Sequence, residues 1–302
     1  MTQQVIPHPS SFLLEVARGF SRDRIAMAAL VTLGIILLAA IFAPWVTPQN
    51  PYNLAQLDIL DSKLAPGMKA TAGFTFWMGS DEQGRDMFSA ILYGLRISLG
   101  VGVMSTFFAL AIVMAVGLVS AYAGGWLDNL IMRLVDLQLS FPAILIALVL
   151  LAVLGQGVDK IVIALITVQW AYYARTVRGA ALAERRKEYV DAARVMAFSD
   201  TRIVFRHILP NVLPPLIVVA TVQVAHAIAL EATLSFLGLG MPITSPSLGL
   251  LISNGFAHLL SGRFWISFFP GIALLVTIVA INLVGDRLRD VLNPRLASHY
   301  GA

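Results

Sequence analysis

The sequence predicts an all-α, polytopic membrane protein with six transmembrane helices and both termini cytoplasmic. Three observations lead there. Of 302 residues, 58% are hydrophobic and 13% charged, at a mean hydropathy of +0.80, whereas a soluble domain carries about 25% charged residues. Long charge-free runs recur along the chain, and a bilayer-crossing helix needs about 20 such residues. The Lys and Arg residues are concentrated in alternate connections, which is how membrane proteins set their orientation. An ordinary soluble enzyme, a nucleic-acid binder and a disordered chain are excluded. The net charge of +4 and pI near 9.6 are read as loop charge on a membrane protein, with no nucleic-acid partner. The absence of cysteine removes disulfides, thiolate metal sites and cysteine nucleophiles.

The first span is predicted over residues 25–42, opened by Arg22 and Arg24 and closed by Pro44. It holds ten Leu, Ile, Val or Phe residues, worth roughly −3 to −6 kcal/mol on insertion. It is too long and too far inside the chain for a signal peptide, so it is expected to stay as an anchor. The second span lies between Arg96 and Asp128, and the third between Asp136 and Asp159, kinked by Pro142. The fourth, between Lys160 and Arg175, reaches full length if Gly155 to Gly157 begin it or if Arg175 snorkels. Trp170, Tyr172 and Tyr173 fit an interfacial belt there. The fifth runs over residues 208–230 and continues past Glu231. The sixth covers residues 264–285.

With the N-terminus inside, fifteen of the 21 Lys and Arg residues fall on the cytoplasmic side, from Arg18, Arg22, Arg24 and Arg133 through the eight between Arg175 and Arg206 to Arg287, Arg289 and Arg295. Lys63, Lys69, Arg85, Arg96, Lys160 and Arg263 fall outside. The organisation expected is a cytoplasmic segment 1–24, a first helix with external loop 25–93, a five-helix core 94–290 containing a cytoplasmic segment 181–207, and a tail 291–302. Residues 45–93 form an external segment broken by Pro48, Pro51 and Pro66. Residues 237–263, with Gly238, Gly240, Pro242 and Pro246, are expected to hold no regular helix. Apolar, broken backbone of this kind must sit on protein or line a cavity.

Several chemistries are missing. No phosphate loop occurs, nor any Gly-Lys pair; the stretch Leu260-Ser261-Gly262-Arg263 and the pair Gly100 and Gly102 lack the context of nucleotide motifs. His8, His207, His226, His258 and His299 are scattered, so no metal centre is expected. No Gly-x-Ser-x-Gly elbow exists. No catalytic residue and no cofactor of the chain's own are expected.

The segment from Glu188-Tyr189-Val190-Asp191-Ala192-Ala193-Arg194 through Ser199 to Ile208-Leu209-Pro210-Asn211 is the most informative. Residues 181–197 are good helix formers with alternating charge, and Tyr189, Ala193 and Met196 give a narrow apolar stripe. Ser199 and Asp200 can cap a restart. On composition this is either a short amphipathic helix across the cytoplasmic face or a solvated, charge-bearing loop.

The same stretch resembles the EAA motif of ABC importer permeases of the oligopeptide, dipeptide and nickel type. Further blocks follow in order. Gly79-Ser80-Asp81-Glu82-Gln83-Gly84-Arg85-Asp86 resembles GTDxxGRD, with Ser80 for Thr, and Tyr93-Gly94-Leu95-Arg96-Ile97-Ser98-Leu99 follows in register. Ala121 to Asp128 resembles AGYxGGxxD, and Arg133-Leu134-Val135-Asp136 an RxxD start. Leu234-Ser235-Phe236-Leu237-Gly238-Leu239-Gly240 is similar to LSFLGLG. Asn282 to Asp290, then Asn293-Pro294-Arg295, resemble the C-terminal block. The resemblance covers residues 25–296. It departs at Ala197, where Gly is usual, and at Leu248, where Trp often follows Pro-Ser.

The resemblance implies an ABC type I importer permease fold in a bacterial inner membrane. The function it implies is half of the translocation pathway for di- or oligopeptides or similar solutes. It implies a homologous second permease, two ABC ATPase subunits that bind ATP and Mg, an extracytoplasmic solute-binding protein and membrane lipid as partners. Glu188, Tyr189, Asp191, Ala192, Ala193, Arg194 and Ala197 would form the ATPase-coupling segment, flanked by Arg185, Arg186 and Lys187. Ala197 would cost about 1 kcal/mol if its turn needs a positive φ. Glu231 is either a cavity-facing acid that meets a substrate amine or gates the external mouth, or an inward-facing acid bonded to a neighbouring helix or one simply at the interface. His226, Asp136 and Asn282 are the other candidate pore-lining residues. A self-sufficient channel or secondary transporter is the alternative; it would need neither an ATPase dock nor the segment 181–207.

Overall fold

Asp23 opens the first helix. Its carboxylate accepts the amides of Ile25 (2.9 Å) and Ala26 (3.1 Å), donors that no earlier carbonyl can reach. In the computed structural model, which describes residues 19–292, helix α1 then runs Arg24–Val46. It passes Pro44, the expected stop, by two residues before Thr47 closes it through Ala43. Expectations for Arg18, Arg295, the Asn293-Pro294-Arg295 block and most of the flanking segments lie outside the described residues.

The segment expected to be external follows, with short turns at Leu54–Gln56 and Ile59–Asp61 and a short antiparallel hairpin, β1 Met68–Lys69 against β2 Thr75–Phe76. Helix α2 is Met87–Ala123. It starts inside the stretch expected to be loop, because Asp86 caps it by accepting the Ser89 amide at 2.8 Å. The stretch expected as the third span, between Asp136 and Asp159, holds the end of helix α3 Gly125–Leu139 and all of α4 Ala143–Leu154, and the two helices are bent by 88°. Pro142 does not kink a continuous helix. It ends one, since proline disfavours the helical region for Phe141 before it and cannot donate to the ladder.

Helix α5 is Val158–Arg185, α6 is Glu188–Val195, α7 is Leu209–Phe236, α8 is Leu248–Phe256 and α9 is Trp265–Leu292. A short turn at Asp200–Arg202 and a widened π-helical turn at Ile203–Ile208 lead into α7. Pro210 lies two residues beyond that turn; it offers no N–H to the helix ladder, and its ring crowds the preceding turn. Helix α8 corrects the expectation that residues 237–263 hold no regular helix. Four helices are long and apolar enough to cross a bilayer: α1, α2, α7 taken from Asp200, and α9. The bent α3–α4 pair makes a fifth if it counts as one span. The six expected spans are not all met on that criterion, because α5 carries Asp159, Lys160, Arg175 and Arg178.

Helices α2, α5 and α7 form the centre, with α9 and α8 against α7, and α1 outside against α9 and α2. Large and small residues are distributed as a membrane requires. On α1 the buried residues are Ala26, Ala29, Ala40 and Ala43, whereas Ile35, Leu38 and Ile41 face outward. Without water to drive association, small residues that allow close backbone approach make the contact.

Candidate functional site

Three polar arrangements stand out from the apolar bundle. The first is the segment after α5. Helix α5 ends at Arg185, and Lys187 in extended conformation begins α6. Val190 and Ala193 are buried, Tyr189 is half-buried, and Glu188, Asp191, Ala192 and Arg194 are exposed. The apolar stripe therefore differs from the expected one: Val190 takes the place of Met196, which is 59% exposed. The Tyr189 hydroxyl donates to Glu184 at 2.8 Å, and burial with Glu184 beside it pushes that hydroxyl up to about 12. The phenol thus remains a neutral donor at physiological pH. Asp191 and Arg194 pair on the surface at 3.0 Å.

The end of α6 is a tight reversal. The amide of Ala197 donates to the carbonyl of Arg194 and that of Phe198 to the carbonyl of Ala193, at 2.9 and 3.1 Å. Ala197 sits at φ +54, the left-handed position that this pair of bonds demands. The turn therefore does need the conformation that favours glycine. Ser199 then caps the restart by accepting the Arg202 amide.

The second arrangement surrounds Glu231, which is fully buried on α7. Its two oxygens accept from Ser98 of α2 at 2.8 Å and Ser235 of α7 at 2.7 Å. The Ser247 hydroxyl, at the start of α8, lies next to the carboxyl and is itself buried. Gly249 brings α8 so close to α7 that an added Cβ would stand 2.2 Å from the carbonyl oxygen of Ala232. Glu231 therefore meets hydroxyls between three helices and does not face an open space in this conformation. Of the other pore candidates, His226 is exposed on α7 and Asn282 half-buried on α9, and neither bonds to Glu231. Asp136 is exposed, pairs with Arg175, and lines a concavity of about 680 Å³ with Asn129, Met132, Arg133, Leu137 and Ser140. Tyr173 is not at an interface; it is buried in the core, while Trp170 donates to Gln138 and Tyr172 is exposed.

The third is a buried cap over the start of α2. The Arg85 guanidinium donates to the carbonyls of Pro51 (3.0 Å) and Ile243 (2.6 Å) and to Asp81 (3.5 Å). Asp81 in turn accepts the amides of Gln83 and Arg85 at 2.8 and 2.9 Å. One side chain thus joins the segment after α1, the start of α2 and the loop after α7. Sequence reasoning placed Arg85 and Asp81 in a motif but did not find this role. It also missed Ser98, whose partner Glu231 lies 133 residues away, and Ser247, which reaches Glu231 from beyond the turn after α7. Ser235 was within reach, since it is one helical turn after Glu231.

No group of residues able to hold a metal occurs among the described residues. What the described residues show is packing and charge placement.

Comparison with known proteins gives the family. The family described as binding-protein-dependent transport system inner membrane component matches residues 108–298. The N-terminal TM domain of oligopeptide transport permease C matches residues 11–66. A protein named as a peptide transport system permease, from Brucella abortus, is 41% identical over 284 residues, covering 93% of this chain and 91% of its own. The glutathione transport system permease GsiD of Escherichia coli is 36% identical over 282 residues, covering 93% and 90%. Among solved structures, a chain of the MetNI methionine ABC transporter in an inward-facing conformation shares the fold. Its TM-score is 0.56 at 22% identity, over 68% of this chain and 97% of that one. The chain is thus a multi-pass inner-membrane permease, and it belongs to the family of binding-protein-dependent transport system inner membrane components.

Proposed function

We propose that this chain is one of two permease subunits in an ATP-driven importer of di- or oligopeptides or glutathione-like solutes, and that α6 docks on an ATPase subunit. The observation that carries the docking is α6 itself. It is a separate helix with its inner face fixed by Val190 and Ala193, while Glu188, Asp191, Ala192 and Arg194 remain exposed. At its tip Val195 is 88% and Met196 59% exposed. An apolar pair flanked by charges fits a cleft with a dry centre and a polar rim. The names of the relatives supply the solute class. ATP and Mg are held by the ATPase partners, an extracytoplasmic binding protein delivers solute, and both termini lie in the cytoplasm. His226, Asn282 and Asp136 line the pathway, with Glu231 behind it as a latch between α2, α7 and α8.

The test is purification of the tagged chain from its native membrane in mild detergent, with mass spectrometry of its partners and uptake measured in liposomes. The expected result is a second permease and two ATPase subunits, with uptake that requires ATP. Glu188→Ala combined with Tyr189→Ala should leave insertion intact and lower uptake about tenfold or more. Recovery alone, with uptake independent of ATP, would establish a channel or carrier instead.

A further inference from the structure

The phenol of Tyr122, in the last turn of α2, gathers elements that are far apart in sequence. Its ring lies under two guanidiniums, Arg185 from the end of α5 at 5.4 Å and Arg194 from the last turn of α6 at 5.8 Å. Its hydroxyl donates to Asp200 at 2.6 Å, on the first residue of the turn that leads into α7. Arg185 also donates to the carbonyl of Ala121 at 3.1 Å, which ties α5 to the end of α2 a second time. Arg194 is held from its other side by Asp191. Arg185, Arg194, Asp200 and Phe205 then line a cavity of about 470 Å³ beside the ring.

Apart from this cluster, Val190 and Ala193 of α6 belong to the same apolar core as Leu118 and Ala121 near the end of α2. Apolar contacts slide. Guanidinium-on-ring contacts and a hydrogen bond to a carboxylate are directional, so they transmit a displacement that sliding contacts would absorb. We propose that Tyr122 is the positioning residue through which movement of α6 is passed to α2. The proposal rests on the docking of α6 given above and names the path that the motion takes beyond it.

The experiment measures solute carried per ATP hydrolysed by the assembled complex in liposomes, wild type first. Tyr122→Leu removes the ring and should lower that ratio about tenfold, with ATP hydrolysis and complex yield within about twofold of wild type. Tyr122→Phe keeps the ring on both guanidiniums but loses the hydroxyl, and should lower the ratio about fivefold. Asp200→Asn keeps an acceptor for the phenol and should couple nearly as wild type. Unchanged coupling in Tyr122→Leu overturns the proposal, as does a parallel fall in uptake and hydrolysis, which marks a merely structural role. If Tyr122→Leu fails to assemble, equal coupling in Tyr122→Phe and Asp200→Asn overturns it. A wild-type complex without ATP-driven uptake overturns the importer reading itself, and this one with it.

Discussion

Ala197 and Gly238 occupy the same position in two helix ends. After α7, the amides of Gly238 and Leu239 donate to Ser235 and Leu234 at 3.0 and 3.1 Å, with Gly238 at φ +80. After α6 the same two bonds close around Ala197 at φ +54. A Cβ in this region costs about 1 kcal/mol or slightly more, and glycine loses part of the difference through its freer unfolded chain. Ala197→Gly should therefore stabilise the protein by about 0.5–1 kcal/mol, read as a higher unfolding midpoint in detergent. No gain would mean that the turn relaxes out of the left-handed region. The residue itself was legible from its departure from the family pattern. Its conformation was not, because a helical entry to the turn fits the same letters. Glu231 shows the reverse case. Its burial among apolar neighbours was visible, whereas the partner Ser98 lies 133 residues away and no local spacing announces it.

At the scale of elements, α8 carries the clearest lesson. Its stretch of sequence is punctuated by Gly, Pro and Ser, and turn chemistry alone argues against a helix. The glycines serve another purpose. A Cβ on Gly249 would meet the backbone of Ala232 at 2.2 Å, and one on Gly255 would meet the Ser267 amide nitrogen at 2.4 Å. Gly249 thus sets the helix against α7 and Gly255 against α9, and tertiary contact overrides the low propensity that glycine brings. Gly249→Leu should cost at least about 1–3 kcal/mol through overpacking and expose residues 237–263 to protease, while Gly271→Ala, on α9 where a Cβ meets open space, leaves the cleavage pattern unchanged. Equal protection in both would show that α8 does not depend on close approach. The long spans were readable because apolar length alone marks them; their ends were less so. α2 begins at Met87 rather than after Arg96, since an aspartate cap and not a charge sets its start.

For the whole molecule, orientation is the property that the distribution of Lys and Arg argues and that the bundle alone leaves free. The cysteine-free chain makes the check direct, because every introduced thiol is unique. Ala72→Cys should react with a membrane-impermeant maleimide on intact spheroplasts. Met196→Cys should react only once the membrane is opened. Both sites are exposed, so a reversed pattern would invert the topology. Fold class and family blocks were readable because apolar length and ordered motifs survive in one dimension. The convergence of Arg85 on Pro51 and Ile243 was not, being a property of three segments brought together only by folding. Helix α2 runs from that cap to Tyr122. Its 37 residues span about 55 Å, well beyond a hydrocarbon core of about 30 Å. A rod of that length held at both ends is a lever, and tilting it by about 5° swings its far end by about 5 Å. On the coupling proposed for Tyr122, a push on α6 would reach the Arg85 cap as a change in the angle of this one helix.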